Sequence, residues 1–499
     1  MKLLTAEQFR MADAYTMQHE PISSVNLMER AATRCYEQIT NITNHTVYVF
    51  AGTGNNGGDG LAIARMLLKS GRDVRIFICG RENAMSADCK TNYLRLKKLA
   101  PVNFITSEKN IPEITSDATV IDAMFGTGLN KPLSGIAACV AQKINDETCT
   151  VVSIDIPSGL FADEHTPASS ITVKADYTLT FQRLKRCMLF DENALRTGRV
   201  TVLNIGLNET YMDSLTSTFT LTDDATVKKI LLPRMKFSHK GTYGHALLIA
   251  GSKGKAGAAV LAARGCIRTG AGLTTAYIPD ALLAVMQTSV PEAMCITDRS
   301  SDYLTTLPDL TKYTAIGAGP GLGTQKQTVS VAGELLKQTT CPLILDADAL
   351  NCISMNKKLL RQLPENSILT PHPKEFERLF GKCNNDFERN EKQIEASIKF
   401  KAVIVLKGAY TSISTKDGRC YYNTSGNAGL AKGGSGDVLT GMITALRAQG
   451  YSAEDAAVAG VYLHGMAADL AVAQQSEYSI TASEVADFSG KAIRMLMGR

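Results

Sequence analysis

The chain has no run of about 18 apolar residues, so no segment is expected to cross a membrane. It also has no dense tract of lysine and arginine. Its 53 basic and 48 acidic residues leave a formal net charge of only +5, which makes no case for nucleic acid or an anionic membrane as partner. The 12 cysteines are scattered without CxxC or CxxxC spacing and read as structural thiols of a reduced, cytoplasmic protein. The opening Met1–Gln8 lacks an apolar signal core and meets acid at Glu7. No stretch is low-complexity. The two halves share glycine content but not glycine spacing, so no internal repeat is present. Hydrophobic residues make up 44% and charged residues 20%, ordinary values for a soluble globular protein. A length of 499 residues exceeds what one core normally supports, so two domains are expected.

Glycine is where the sequence becomes specific. The run Gly426–Asp437 ends in Lys432-Gly433-Gly434-Ser435-Gly436-Asp437, and a helical apolar pattern follows in Val438, Leu439, Met442, Ile443 and Leu446. Glycines let backbone N–H groups approach a phosphate closely, and a helix starting at about Asp437 aims its positive end at the same point. A carboxylate among anion-binding groups is costly unless it handles a proton or a metal, which makes Asp437 a candidate base. A second glycine-rich segment, Gly52–Gly60, lies far upstream. Two unlike loops of this kind suggest two active sites on one chain.

Residues 1–215 read as one α/β unit. Helical patterning over about 5–40 precedes strands at Val47–Ala51, Val74–Cys79, Thr119–Asp122, Val151–Ile154, Tyr177–Phe181 and Val200–Ile205. Short apolar runs alternating with helices suggest a parallel sheet covered on both faces, with ligands beyond the carboxyl ends of its strands. Residues 207–230, rich in Thr, Ser and Asp, read as a connector. A second α/β sandwich spans 225–499, with its first strand after Lys236–Lys240. Its strands are at Ala246–Ala250, Thr274–Ile278, Ala315–Ala318, Leu343–Asp346, Ile368–Leu369, Val403–Leu406 and Thr411–Ser414. Its helices are at about 256–269, 324–338 and 436–449.

In the first unit, Gly54-Asn55-Asn56-Gly57-Gly58-Asp59-Gly60 lies between a strand and a helix, with a spacing that is neither GxGxxG nor a P-loop. Asp122 opens Asp122–Gly128 at a strand end, and Ser153-Ile154-Asp155-Ile156-Pro157-Ser158-Gly159 repeats the logic. Hard oxygens from Asn56, Asp122 and Ser158 could coordinate a hard cation, and one carboxylate with neutral oxygens suits a monovalent ion. These three motifs, in this order, resemble the YjeF N-terminal family, the NAD(P)H-hydrate epimerases. The resemblance implies a Rossmann-like three-layer sandwich that binds a hydrated nicotinamide dinucleotide and one potassium ion. By motif, Asn55, Asn56, Gly57, Gly58 and Asp59 would hold the dinucleotide together with Gly126, Thr127, Gly128, Leu129, Asn130, Lys131 and Pro132. Asn56, Asp122 and Ser158 would hold potassium, and Asp155 would face the hydrated ring as the acid/base group. Where that family shows Lys-Pro-Gly after Thr180-Phe181, this chain has Lys185-Arg186-Cys187.

In the second unit, glycine-rich turns follow strands at Gly251–Ala258 and Gly317–Gly323. Asp346 and Asp348 end another strand, His372 stands between Pro371 and Pro373, and Lys407 ends a fourth strand. With Gly433–Asp437 these features resemble the ribokinase-like superfamily and, within it, the NAD(P)H-hydrate dehydratases. The resemblance implies that Ala258, Gly321, His372 and Asp437 contact the hydrated dinucleotide. Lys407, Gly408, Ala409, Tyr410, Thr411 and Gly436 would contact the adenine nucleotide, with Mg²⁺ accompanying it. The family often has Asn-Pro-Gly-Met where this chain has Asn427-Ala428-Gly429-Leu430. The implied activity is repair of NADH and NADPH hydrates. The first site would interconvert R and S forms, and the second would dehydrate the S form with ADP or ATP as co-substrate, in a homo-oligomer. A ribokinase-like small-molecule kinase, of hydroxymethylpyrimidine type, and a non-catalytic nucleotide sensor are the alternative readings.

Overall fold

The computed structural model describes residues 1–42 and 46–498. It divides into two compact units. One comprises Lys2–Ser217 with Asn385–Phe387, and the other comprises Met1, Thr218–Asn384 and Glu388–Arg499.

The first unit is built on a sheet of seven parallel strands: β1 (Val47–Ala51), β2 (Val74–Cys79), β3 (Asn103–Ile105), β4 (Thr119–Ala123), β5 (Thr150–Ile154), β6 (Tyr177–Phe181) and β7 (Arg199–Leu203). Their spatial order is β3-β2-β1-β4-β5-β6-β7, so the winding reverses between β1 and β4. Every residue of β1 and β4 is buried, and β1 reads accordingly as a continuous apolar run, while β4 carries the buried Asp122. A doubly wound sheet binds its ligand at such a reversal, outside the carboxyl ends of the strands. Gly52 follows β1 and Met124 follows β4 at that point. The expected helical stretch at 5–40 is two helices, Ala6–His19 and Ser24–Ile42, because Pro21 cannot continue the first. The helix after β1 begins at Asn55, so Gly57, Gly58 and Gly60 lie inside a helix rather than in a turn, and Gly54 is its N-cap. They are needed for close approach: a Cβ on Gly57 would stand 2.0 Å from the Gly52 carbonyl oxygen, and one on Gly60 2.5 Å from Ala123 Cβ.

The second unit carries ten strands: β8 (Phe219–Thr222), β9 (His245–Ile249), β10 (Leu273–Pro279), β11 (Met294–Asp298), β12 (Ala315–Ala318), β13 (Leu343–Leu345), β14 (Ile368–Leu369), β15 (Val403–Leu406), β16 (Ser412–Ser414) and β17 (Cys420–Asn423). Their order is β11-β10-β9-β12-β13-β14-β15-β16-β17-β8. All pairings are parallel except β15–β16 and β16–β17. The winding reverses between β9 and β12, again beside glycine-rich turns. Residues 207–230 are not a simple connector. They hold the helix Glu209–Ser214, strand β8 and the helix Asp224–Ile230, and β8 pairs Phe219 to Thr222 with Cys420 to Asn423. The second unit therefore begins before residue 225.

The helix Ser435–Ala448, expected from about 436, is pressed against the helix Ala256–Arg268 by small residues. A Cβ on Gly441 would stand 2.0 Å from the Ala262 carbonyl oxygen, and one on Gly265 2.4 Å from that of Val438. This contact fixes where the first turn of the helix, with Asp437, can stand. Among the described residues no helix is long and apolar enough to cross a membrane.

Candidate active sites

In the first unit the three motifs meet at the reversal between β1 and β4. The Asp122 side chain is fully buried at the end of β4. Its Oδ2 accepts from Ser153 Oγ and the Ser158 backbone N–H, both at 2.8 Å, and its Oδ1 accepts from Ser158 Oγ at 2.5 Å. Burial still holds its carboxyl above the ordinary value despite these donors. Ser158 Oγ accepts in turn from the Phe125 N–H at 2.9 Å. Both polar atoms of the Asn56 side-chain amide are buried without a hydrogen-bond partner. A buried amide oxygen without a partner suits a cation with neutral oxygen ligands better than a transition metal. Among the described residues no cluster of three or more His, Cys, Asp or Glu could hold a metal.

Asp155 follows β5 with φ +65°, a left-handed conformation that a non-glycine residue holds only when its surroundings enforce it. Its N–H donates to the Leu179 carbonyl at 2.8 Å, and its Oδ1 pairs with Lys185 Nζ at 2.9 Å. The Thr127 N–H approaches Oδ2 at 3.4 Å. A Cβ on Gly126 would stand 3.3 Å from Asn56 Cβ and 3.4 Å from Asp155 Oδ2, so these three residues face one another. Asn55 accepts from Ser86 Oγ at 2.7 Å. Asp59 is buried, and burial with Asp155 and Asp13 nearby pushes its carboxyl well up. Asn130, Lys131 and Pro132 are exposed, Leu129 closes a turn onto the Gly126 carbonyl, and Gly128 is open to solvent.

In the second unit Gly436 stands between two groups of residues. On one side is a cavity of about 720 Å³ lined by His372, Lys407, Gly408, Ala409, Thr411 and Gly436, with the loop 423–430 opposite. Tyr410 is half-buried and not part of this lining; Thr411 Oγ1 instead ties the turn by donating to the Gly408 carbonyl at 3.0 Å. Lys407 Nζ pairs with Asp346 Oδ1 at 2.8 Å, and Thr440 Oγ1 donates to Asp346 Oδ2 at 2.8 Å. Lys407 keeps its charge: burial works against it, but Asp346, Glu375 and Asp437 hold its pKa above the ordinary value. A Cβ on Gly436 would stand 3.4 Å from Lys407 Nζ, so the lysine head lies against this part of the loop. His372 caps the helix Pro373–Phe380, its Nδ1 accepting from the Lys374 N–H at 3.1 Å, and burial lowers its pKa.

On the other side of Gly436 lies Asp437. Burial, with Asp346 and Asp348 adding and Lys407 opposing, raises its carboxyl to about 7. Asp348 pairs with Lys255 Nζ at 3.0 Å and accepts the Gly323 N–H at 2.8 Å. Gly321, at φ +64°, packs so close to Ala258 that a Cβ on it would stand 2.9 Å from Ala258 Cβ. Gly321 thus packs on Ala258, and the charge of Asp348 acts on Asp437.

A family model described as NAD(P)H-hydrate dehydratase matches residues 246–490, and one described as YjeF-related protein N-terminus matches residues 24–187. The bifunctional NAD(P)H-hydrate repair enzyme Nnr of Moorella thermoacetica is 34% identical over 99% of this chain and 97% of the relative. The chain belongs to this family of bifunctional NAD(P)H-hydrate repair enzymes. The relative from Thermofilum pendens is 32% identical with the same two coverages, 99% and 97%. Among solved structures, a ribokinase-like superfamily protein from Enterococcus faecalis covers 57% of this chain and 99% of its own at 24% identity and a TM-score of 0.50, which shows the ribokinase-like fold. The ADP/ATP-dependent NAD(P)H-hydrate dehydratase of Bacillus subtilis, co-crystallised with ATP and Mg²⁺, covers 56% of this chain and 98% of its own at 35% identity and a TM-score of 0.49.

Within this family member, sequence reasoning passed over several residues that the fold brings to the sites. Asp13 comes from the helix Ala6–His19, and burial next to Asp155 raises its carboxyl to about 6. Nothing in its local pattern separates it from a solvent-facing acid. His464 lines the nucleotide cavity from an alanine-rich helix, and burial lowers its pKa to about 4, leaving it neutral. Asp469, on the same helix, ties down the cavity wall: its Oδ2 accepts the Gly426 N–H and its Oδ1 accepts Asn427 Nδ2, both at 2.8 Å. This tie holds the turn that carries Ala428 in place of the family's usual proline.

Proposed function

We propose that the chain repairs hydrated nicotinamide cofactors at two sites. The first unit interconverts the R and S forms of NADH and NADPH hydrate, and the second dehydrates the S form at the expense of ADP or ATP. The observation that carries the second activity is Asp437, a carboxyl raised to about 7 at the mouth of a phosphate-cradling loop. A hydrated nicotinamide bears a hydroxyl on the carbon next to the ring nitrogen, and hydroxide is a poor leaving group. Asp437 removes the proton of that hydroxyl as its oxygen takes the terminal phosphoryl group. Lys407 and the N–H groups around Gly436 offset the negative charge on the group in transfer. The ring nitrogen then expels phosphate, and loss of a ring proton restores the dihydropyridine.

Nucleotide phosphates fit the cavity beside Lys407, and a Mg²⁺ ion bound with them would neutralise phosphate charge; Asp346 and Asp437 flank the loop where it would sit. In the first unit Asn56, Asp122 and Ser158 would hold potassium, which supplies a fixed positive charge near the dinucleotide. Asp155 takes and returns the proton of the ring hydroxyl. The test is absorbance at the reduced-nicotinamide band with mixed R and S hydrate, K⁺, Mg²⁺ and either ADP or ATP. Full recovery of NADH that needs one nucleotide is expected, and no recovery with either would overturn the reading. The Asp155→Ala variant is expected to stop at the S fraction of the mixture.

A further inference from the structure

Lys185 is a buried cation that the reading above leaves without a task. Its side chain is only 3% exposed. Nζ donates to Thr180 Oγ1 at 2.9 Å, to the Phe181 carbonyl at 2.8 Å and, more distantly, to the Arg183 carbonyl at 3.3 Å. It pairs with Asp155 Oδ1 at 2.9 Å, and the centre of the Phe9 ring lies 4.4 Å away. An ammonium offers three donors and no lone pair, so these acceptors saturate it. No donor remains for a substrate, and whatever Lys185 does for catalysis passes through Asp155.

The two oxygens of Asp155 have different surroundings. Oδ1 is turned to Lys185, with Thr180 Oγ1 at 3.5 Å. Oδ2 is turned to the Gly126 loop, where among the described residues the Thr127 N–H is its donor, at 3.4 Å too long to occupy it fully. The backbone of Asp155 is held in its left-handed conformation by the hydrogen bond to Leu179. Two further carboxyls face the group, Asp13 from the helix Ala6–His19 and Asp59 from the helix Asn55–Lys69, and both are pushed up by burial and by Asp155 itself. Lys185 is the cation that acts on both Asp155 and Asp13. Without it, the Asp155 carboxylate would be repelled by its neighbours and free to rotate away from the dinucleotide loop.

We propose that Lys185 is the positioning residue of the epimerase site: it clamps Asp155 Oδ1 so that Oδ2 is presented to the hydroxyl of the hydrated ring. The proposal rests on the reading of Asp155 as the acid/base group. It assigns a role to the one residue of the Lys-Pro-Gly pattern that this chain keeps, with Arg186 and Cys187 following it.

The experiment uses the full-length chain and R-enriched NADH hydrate. Recovery of NADH through the chain's own dehydratase, with nucleotide in excess, reports epimerisation, and S hydrate measured separately reports dehydration. Lys185→Met is expected to lower kcat for the R form 30-fold or more, with KM within threefold and the S-form rate unchanged. Asp155→Asn is expected to lose at least as much. In the Asp155→Asn background, Lys185→Met should cost less than threefold, because the clamp has nothing left to orient. Lys185→Arg keeps the charge but cannot place one point donor among Thr180, Phe181 and Asp155. It should fold and lose kcat five- to tenfold, and it decides the matter if Lys185→Met unfolds on heating below the parent. A wild-type kcat in either lysine variant, or an equal loss in both backgrounds, overturns the proposal and leaves Lys185 a structural cation. An active Asp155→Asn would instead remove the reading on which it rests.

Discussion

Asp437→Asn tests the dehydratase reading on two opposed axes. The substitution keeps the shape of the side chain and removes its charge. Loss of a general base costs about 10²–10⁴ in rate, or roughly 3–5.5 kcal/mol of transition-state stabilisation. The same carboxylate is an unfavourable group for the fold. Burial raises the Asp437 carboxyl from the ordinary 3.8 to about 7. Between those values the native state binds more protons than the unfolded chain, so this group's contribution to stability falls as pH rises through that window. At pH 8 the ceiling on that cost is about 4 kcal/mol at about 1.4 per unit, and partial solvation of the site reduces it to about 1–3. The variant is therefore expected to lose dehydration of S hydrate at least 100-fold and to gain thermal stability at pH 8, with no gain at pH 4 and epimerisation intact. In the parent, kcat/KM for S hydrate should rise with pH through about 7 and flatten above it. Stopped absorbance assays and calorimetry at the two pH values check both halves. A variant that keeps more than a tenth of the parent rate, or that is destabilised equally at pH 4 and pH 8, would refute the argument.

Asp469→Ala releases Gly426 and Asn427 from the nucleotide cavity wall, and KM for the nucleotide should rise about tenfold with kcat within twofold; adding Ala428→Pro should recover part of the loss by stiffening the turn. Gly441→Ala drives a methyl into the Ala262 carbonyl, and chemical denaturation should show a loss of about 2 kcal/mol or more together with reduced dehydration, because the helix bearing Asp437 must shift. Replacing K⁺ with the smaller Na⁺ should slow recovery of NADH from R hydrate while leaving S hydrate unaffected, and equal sensitivity of both would argue against a cation at Asn56, Asp122 and Ser158.

The sites were more legible in the sequence than their supports. Strand-end carboxylates and glycine clusters announce themselves, because few structural roles need four glycines and an acid in seven residues. The reason for the glycines was less visible. At Gly57 and Gly60 the constraint is close contact with Gly52 and with Ala123 of β4, not backbone dihedral freedom, and nothing in the local pattern announces the second of these. The strands that went unread were β3, with three residues, the edge strand β11, and β8 and β17, which mix threonine, asparagine and tyrosine with few aliphatic side chains. Pairing with a neighbouring strand, rather than propensity, determines them. Asp13, His464 and Asp469 sit on helices, and only tertiary packing turns them toward a site.

Strand β8 decides where this chain can be cut. A fragment beginning at residue 225 would retain every group around Asp437 yet leave the rim of β17, Cys420 to Asn423, without its parallel neighbour. An unpaired rim of that kind recruits other chains. Truncation for crystallography or for separate assay of the dehydratase should therefore start upstream of Phe219, and a shorter fragment that aggregates would be reporting the missing strand rather than a defective catalyst.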